Sequence, residues 1–346
     1  MNFFEQQRQS RHRTALLVIL MILAVLSLIT MTSLVFSLKH ADDGSGALAI
    51  NWEAVQITAS VITAVVLMGS LFKYAELRHG GKVIAESLGG RLINQGARTL
   101  EEQRLINVVE EMALASGMTV PPIYLLPDES INAFAAGFTP QDAVIGVTQG
   151  AISLLTREEL QGVIAHEFSH IFNGDMRLNM HMLATVNGLL VLGLAGSLIL
   201  LRVSRVSNRE NGDNRLKLVA LLVGVVLCIA GFAGSFMASL IKAAVSRQRE
   251  FLADATAVQY TRNPHSIAGA LKKIGGHAQG SHMSADRADE FSHLYFCAGG
   301  TSSLDRLLAS HPDLSERIWR IDAQWDGVFP AVKAPGFQRR KKKVSV

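Results

Sequence analysis

Cysteine and aromatic residues are both scarce in this chain of 346 residues. It has two cysteines: Cys228 lies inside an apolar run, and Cys297 lies far along the chain. This excludes a disulfide framework and a cysteine-based zinc site. Aromatic residues make up 6% of the chain whereas hydrophobic residues make up 49%, so the apolar content is aliphatic and is concentrated in runs.

Charged residues are missing from four of these runs. Each run is near the roughly 20 residues that a helix needs to cross a bilayer core, so we predict about four transmembrane helices. For the first run the alternative is a signal peptide, but the run is too long and lacks a small-residue cleavage site. For the third and fourth runs the alternative is a hairpin buried in protein or dipping into the membrane. The runs are Ala15–Leu38, Val55–Phe72, Leu183–Leu201 and Leu218–Ile241.

The formal net charge is +4, and part of it comes from a basic tail at 339–343. No motif supports nucleic-acid binding, so we interpret the tail as a segment attracted to anionic lipid. Three arginines precede the first run, at positions 8, 11 and 13, whereas the loop after it carries Asp42 and Asp43. The positive-inside rule then places the N-terminus in the cytoplasm and this loop outside.

An H-E-x-x-H motif at 166–170 has the spacing of a metal site on a helix. Thr156 and Glu159 form a capping-box pattern, which predicts that the helix begins near residue 157. On this helix His166 and His170 lie one turn apart on the same face, so both can reach one zinc ion. Glu167 is displaced about 100° around the helix and can take the proton of a zinc-held water. The alternative is a chance pentapeptide on an amphipathic helix.

Two histidines leave zinc short of a protein ligand. Glu250 and Asp254 lie one turn apart on what should be a continuous helix that extends from the fourth run. We predict that Glu250 completes a His₂Glu set and that Asp254 accepts the second ring N–H of a ligating histidine. The alternative is a solvated charged face. Glu290 and His293 repeat part of the first motif, but Asp289 replaces its first histidine, so we predict no metal site there.

The segment before the motif predicts a small sheet beside the metal helix. A helix is expected over Glu101–Ser116 with Gly117 as its C-cap. Residues 73–98 are polar and punctuated by glycine, which favours a tether. We expect substrate to pair as an added strand beside 143–148, for which the alternative is an ordinary core strand. The predicted strands are Ile123–Leu126, Ile131–Phe138 and Ala143–Thr148.

Several segments together resemble the HtpX-type membrane zinc metalloproteases, whose eukaryotic relatives are the CAAX-processing prenyl proteases. The resemblance rests on Asn107 to Ile171, the Ser-Arg-x-x-Glu-x-x-x-Asp segment and Ser310-His311-Pro312, and it covers roughly residues 10–325. It implies a gluzincin endopeptidase in the bacterial inner membrane, with its active site on the cytoplasmic side. It also implies a role in quality control, acting on membrane or misfolded proteins.

The resemblance further implies two residues that contact substrate. Asn132 matches an asparagine that helps hold the substrate carbonyl, and His311 matches a proposed transition-state stabiliser. The alternatives are that Asn132 is a turn residue and that His311 leads into a helix with Pro312 in its first turn. Arg317 fits the family pattern, but no role follows for it.

The expected fold is a mainly α integral membrane protein with a zincin-type α+β catalytic domain, whose small β-sheet lies beside the H-E-x-x-H helix. The third and fourth runs interrupt the catalytic domain. The predicted segments are an N-terminal arm with two transmembrane helices at 1–73, the first catalytic half at 74–182, a transmembrane or membrane-embedded hairpin at 183–241, the second catalytic half at 242–330 and a basic tail at 331–346.

The expected function is that of a zinc endopeptidase with one zinc ion per chain. Its expected partners are protein or peptide substrates, membrane proteins among them, and the lipid bilayer. One alternative is a non-proteolytic membrane scaffold or chaperone-like protein that retains the zinc fold. Another is a protease for prenylated peptide ends, which would need more spans than four. The sequence does not indicate the oligomeric state.

Overall fold

The structure is a computed structural model that describes residues 3–40, 48–77, 80–94, 96–206, 214–277, 296 and 308–332. The chain divides into two compact units that alternate along the sequence. Unit 1 comprises Met1–Arg11, His79–Arg177 and Arg247–Val346, and unit 2 comprises His12–Arg78 and Leu178–Ser246. The five-segment division proposed from the sequence stays a prediction.

The described part of the chain is mostly helical. In chain order, its helices are α1 Phe3–Ser37, α2 Trp52–Leu77, α3 Gly80–Ser87, α4 Leu100–Ser116, α5 Gln149–Leu154, α6 Arg157–Asn173, α7 Asp175–Val206, α8 Asn214–Thr261, α9 Pro264–Gly276 and α10 Leu314–Ile321. Its strands are β1 Leu38–His40, β2 Leu48–Ile50, β3 Arg91–Leu92, β4 Ile123–Leu126, β5 Ala133–Ala136 and β6 Val144–Thr148.

Unit 2 is built from long apolar helices. Within the described residues, α1, α2, α7 and α8 are each long and apolar enough to cross a membrane, by length and composition. Ile62, Leu189 and Ala238 are buried in the core between helices, whereas Met68 and Phe72 are largely exposed. Many other large apolar side chains on these helices are also exposed. Such a surface is typical of helices that face lipid. Three of the four predicted runs lie within one of these helices, and the first extends one residue beyond the end of α1. The predicted mainly α membrane fold is thus confirmed.

Unit 1 contains a four-stranded mixed sheet with the strand order β3-β4-β6-β5. β4 and β6 are parallel, and the other neighbours are antiparallel. β6 is therefore paired on both sides, and no backbone edge is free beside it. The prediction that substrate pairs beside 143–148 was wrong, and the outer strand on that side of the sheet is β5.

The segment predicted as a tether is part of the fold. α3 packs against the sheet, and β3 pairs with β4 as an edge strand. Gly81 is close to the sheet: a Cβ atom there would lie 2.1 Å from the carbonyl oxygen of Ala136. Gly81 therefore allows the helix to pack closely on the sheet. The sequence alone does not distinguish this role of a glycine from a role in a flexible tether.

The other predicted elements around the metal helix are present. α4 ends at Gly117, which has a φ of 69° and is the C-cap. The middle strand candidate is shorter than predicted, spanning Ala133–Ala136. α8 runs without a break to Thr261, and α9 begins at Pro264. The predicted continuous helix carrying Glu250 is thus confirmed.

Candidate metal centre

α6 carries the H-E-x-x-H motif, and its ends are set by specific residues. The Thr156 hydroxyl accepts from the N–H of Glu159, and the Glu159 carboxylate accepts from the N–H of Thr156, forming the predicted capping box. The helix ends at Gly174, which has the left-handed φ of 68° that favours glycine. Leu160, Ile164 and other apolar residues bury the helix in the core of unit 1. This packing holds the motif on a rigid element.

His166, His170 and Glu250 bring their ligand atoms to one point. The two Nε2 atoms are 3.0 Å apart, and the Glu250 carboxylate oxygens lie 3.4 Å from Nε2 of His166 and 3.5 Å from Nε2 of His170. Ligands about 2.0–2.1 Å from a tetrahedral ion are separated by about 3.3–3.4 Å. The donor set and its size therefore fit a divalent metal ion such as zinc. Glu290 and His293 lie outside the described residues.

Glu167 lies beside these ligands and is 1% exposed. Its Oε1 atom has no hydrogen-bond partner among the described residues. Burial raises the pKa of the Glu167 carboxyl, although the nearby His166 and His170 act in the opposite direction. A carboxylate whose pKa lies nearer to neutrality is suited to take up and release a proton.

His170 has a raised pKa for a different reason. Burial lowers the pKa of its imidazole, but the hydrogen bond and charge of Glu250 and the charge of Glu167 more than offset burial. The ring thus lies in a field that favours a positive charge. A bound cation would be stabilised by the same two carboxylates.

The far side of the His166 ring faces Asp254. Nδ1 of His166 lies 2.9 Å from Oδ1 of Asp254, at ion-pair distance but without hydrogen-bond geometry. Arg317, fully buried, donates to both Asp254 oxygens at 2.9 and 2.7 Å. It also lies 3.4 Å from Glu250. The residue that had no role in the sequence analysis therefore fixes the carboxylate behind His166.

The sequence analysis missed a similar arrangement behind His170. Nδ1 of His170 lies 2.8 Å from Oδ2 of Asp175, the first residue of α7. Arg249 forms an ion pair with Asp175 and also donates to the carbonyl oxygen of Asn173 at 3.0 Å. Asp175 follows the left-handed Gly174, which turns the chain so that this carboxylate faces back toward α6. Sequence separation alone would not reveal this contact, because the helix breaks between the two residues.

The structure places His311 at the metal centre. It is 7% exposed, and its Nδ1 lies 3.2 Å from Glu250. Its Nε2 has no hydrogen-bond partner among the described residues. Asp313 caps α10, which begins at Leu314, so Pro312 precedes the helix and does not lie in its first turn. Arg247 on α8 donates to the carbonyl oxygen of Ala309 and joins this segment to the helix that carries Glu250.

Asn132 lies just before β5 and is 1% exposed. Its backbone is held by Thr148, whose hydroxyl accepts from the Asn132 N–H at 3.0 Å. Its Oδ1 accepts from the N–H groups of Ala133 and Phe296, at 2.9 and 3.0 Å. Two N–H donors on one atom identify that atom as the amide oxygen. Asn132 is thereby linked to Phe296, whose ring contacts His166.

Comparison with known proteins identifies the family. The model of peptidase family M48 matches residues 99–324, which include every residue of the metal centre. This chain belongs to peptidase family M48. It is 34% identical over 276 residues to a protease HtpX homolog of Thermoanaerobacter pseudethanolicus, covering 78% of this chain and 85% of the relative. It is 35% identical over 247 residues to a protease HtpX homolog of Streptococcus thermophilus, covering 69% and 80%.

A solved structure, that of Ste24p from S. mikatae, is also similar. The match has a TM-score of 0.47 and 16% sequence identity, and it covers 75% of this chain and 58% of Ste24p.

Membership of family M48 and the four membrane-length helices make the protein a membrane metalloprotease. Its substrates are peptides or proteins, and its helices lie in a lipid bilayer. The metal that the family requires fits the cluster of His166, His170 and Glu250.

Proposed function

We propose that this protein is a zinc-dependent endopeptidase in which His166, His170 and Glu250 hold the ion and Glu167 is the general base. The convergence of three ligand atoms beside the buried Glu167 carboxylate, whose Oε1 has no hydrogen-bond partner among the described residues, carries this proposal. A zinc ion held there would supply a Lewis acid that polarises the peptide carbonyl and lowers the pKa of a water to about 7.

The protein's own side chains provide the rest of the chemistry. Glu167 takes a proton from the attacking water and later delivers it to the leaving amine, which its raised pKa favours. His311 provides a ring N–H for the developing oxyanion. This role is supported by its burial beside Glu250 and by its Nε2, which has no hydrogen-bond partner in the described part of the chain. Asn132 contacts the main chain of the substrate at the end of β5. Asp254 and Asp175 hold the two histidine rings in position.

The proposed setting is the inner membrane of a bacterium, with the catalytic residues in the cytoplasm. The support is the distribution of arginines around the first apolar run, together with similarity to bacterial HtpX homologs. The proposed substrates are membrane or misfolded proteins, which a protease attached to the membrane can reach. Cysteines introduced at positions 45 and 280 should label from opposite sides, and labelling from the same side would contradict this orientation.

Glu167→Gln tests the proposal. The amide cannot take a proton, so the variant should keep zinc at the wild-type ratio while its hydrolysis of casein falls to background. Zinc content by mass spectrometry and casein hydrolysis are measured on the same detergent-purified full-length protein. Near-normal turnover by Glu167→Gln would contradict the assignment of the base. No hydrolysis by zinc-loaded wild type would instead support the alternative of a non-proteolytic scaffold.

A further inference from the structure

Phe296 lies at the metal centre although it is distant in sequence from every ligand. Its side chain is 1% exposed. The ring packs edge-on against the ring of His166, with centroids 4.8 Å apart at 78°. The guanidinium of Arg317 lies 4.7 Å from the centre of the same ring. A bulky apolar side chain therefore fills the space between a metal ligand and a buried arginine.

The main chain of Phe296 is bound on the outer edge of β5. Its N–H donates to the carbonyl oxygen of Ala133 at 2.9 Å and to Oδ1 of Asn132 at 3.0 Å. Its carbonyl oxygen accepts from Nη1 of Arg317 at 2.9 Å. Both main-chain polar groups of this one residue are thus satisfied by three groups of unit 1.

The direction of the Ala133 carbonyl shows that Phe296 binds on the side of β5 that faces away from β6. The Asn132 carbonyl accepts from Thr148 of β6 at 3.1 Å, so it faces the sheet interior. Successive carbonyls of a strand point to opposite sides, so that of Ala133 faces away from β6. This outer edge is where an extended polypeptide adds to a sheet, with main-chain bonds for affinity and a pocket for the side chain.

None of the three main-chain hydrogen bonds depends on which side chain the bound residue carries. The Ala133 carbonyl and the Asn132 amide oxygen accept from any peptide N–H, and Arg317 donates to any peptide carbonyl. Selectivity comes from the ring alone, which contacts His166 and Arg317. A bulky apolar residue of another polypeptide would fill the same space beside these two side chains.

We propose that Phe296 occupies a substrate-residue site on the outer edge of β5, as an internal ligand that a polypeptide substrate must displace. The site takes a residue with a bulky apolar side chain, next to the metal ligand His166. The inference rests on the proposed peptidase function and adds to it a side-chain preference and a form of self-inhibition. Substrate binds only to molecules in which Phe296 has left the site. The apparent affinity for substrate is therefore the intrinsic affinity multiplied by the fraction of such molecules.

The first arm of the test uses a synthetic peptide and leaves Phe296 intact. The probe is a fluorescent peptide with the sequence of residues 292–300 and Ser in place of Cys297, titrated by anisotropy against zinc-loaded full-length Glu167→Gln protein in detergent. N-methylation of its phenylalanine removes the donor to Ala133 and Asn132 and should weaken binding by about tenfold or more. A leucine in place of this phenylalanine should bind similarly, and an aspartate should not. Equal binding of the parent and N-methyl peptides would overturn the proposal.

The second arm changes the protein. Phe296→Ala, in the same Glu167→Gln background, removes the ring of the internal ligand and should tighten peptide binding by up to about tenfold. Phe329→Ala is the matched control, because Phe329 packs on Trp325 with centroids 5.0 Å apart and contacts no metal ligand among the described residues. It should leave peptide affinity unchanged. Unchanged or weaker binding in folded Phe296→Ala would mean that Phe296 is a structural residue, and if this variant does not fold, the peptide pair decides.

Binding is measured here without turnover, so the two proposals fail separately. Absence of hydrolysis by the zinc-loaded wild type would end the peptidase proposal, while the effects of N-methylation and of Phe296→Ala would still test the site on β5.

Discussion

The two histidines of the metal centre are supported by similar trios that differ in burial. The side chains of His166, Asp254 and Arg317 are 0%, 5% and 0% exposed. In the second trio, the side chains of His170, Asp175 and Arg249 are 15%, 9% and 12% exposed. Two charges interact more strongly when both are buried than when water can reach them, so removing one buried charge costs more free energy. We therefore expect the loss of a partner to have a larger effect in the first trio than in the second.

Asp254→Asn, in the more buried trio, is expected to have the largest effect on zinc affinity and on stability. The change removes the charge of the carboxylate that is hydrogen-bonded to the buried Arg317 guanidinium and that lies at Nδ1 of His166. Zinc affinity should fall toward the upper end of the about 10–100-fold range for loss of an outer partner. The free energy of unfolding should fall by about 3–5 kcal/mol. Chelator competition and chemical unfolding measure the two quantities, and wild-type values for both would contradict the assigned role of Asp254.

A smaller effect is expected from Asp175→Asn. His170 keeps a hydrogen-bond acceptor, and Arg249 keeps its bond to the carbonyl oxygen of Asn173. Zinc affinity should fall by about tenfold, at the lower end of the same range. Glu316→Gln is a matched control, because it breaks an exposed ion pair with Arg320 and should change nothing measurable. A loss of affinity equal to or greater than that of Asp254→Asn would break the comparison.

The two aspartates also show what the sequence can and cannot predict. Asp254 follows Glu250 by one helical turn on one face of α8, so periodicity alone placed it near the metal. Asp175 contacts His170 across the break at Gly174, and helical periodicity does not extend through a left-handed residue. Local patterns predict contacts within an element, whereas this contact depends on the turn between two helices.

The sheet teaches the same lesson. The strand at 123–126 and the approximate positions of the next two strands were predictable from composition and turn residues. The order of the strands in the sheet was not predictable, because no local pattern indicates that β6 lies between β4 and β5. The position of Phe296 could not be predicted either, since no local pattern connects it to β5 or to Arg317. Long-range pairing is fixed by packing of the whole unit, to which each residue contributes little by itself.

The carboxylate that completes the metal centre can be identified directly. Zinc bound per chain should therefore be measured for purified full-length wild type, Glu250→Ala, Glu290→Ala and His293→Ala after dialysis against a weak chelator. We expect one zinc per chain for the wild type and little or none for Glu250→Ala, since that change removes a carboxylate 3.4–3.5 Å from both histidine nitrogens. Glu290→Ala and His293→Ala should keep the wild-type ratio, because the sequence predicts no metal site there. Loss of zinc from Glu290→Ala with full retention in Glu250→Ala would contradict the account.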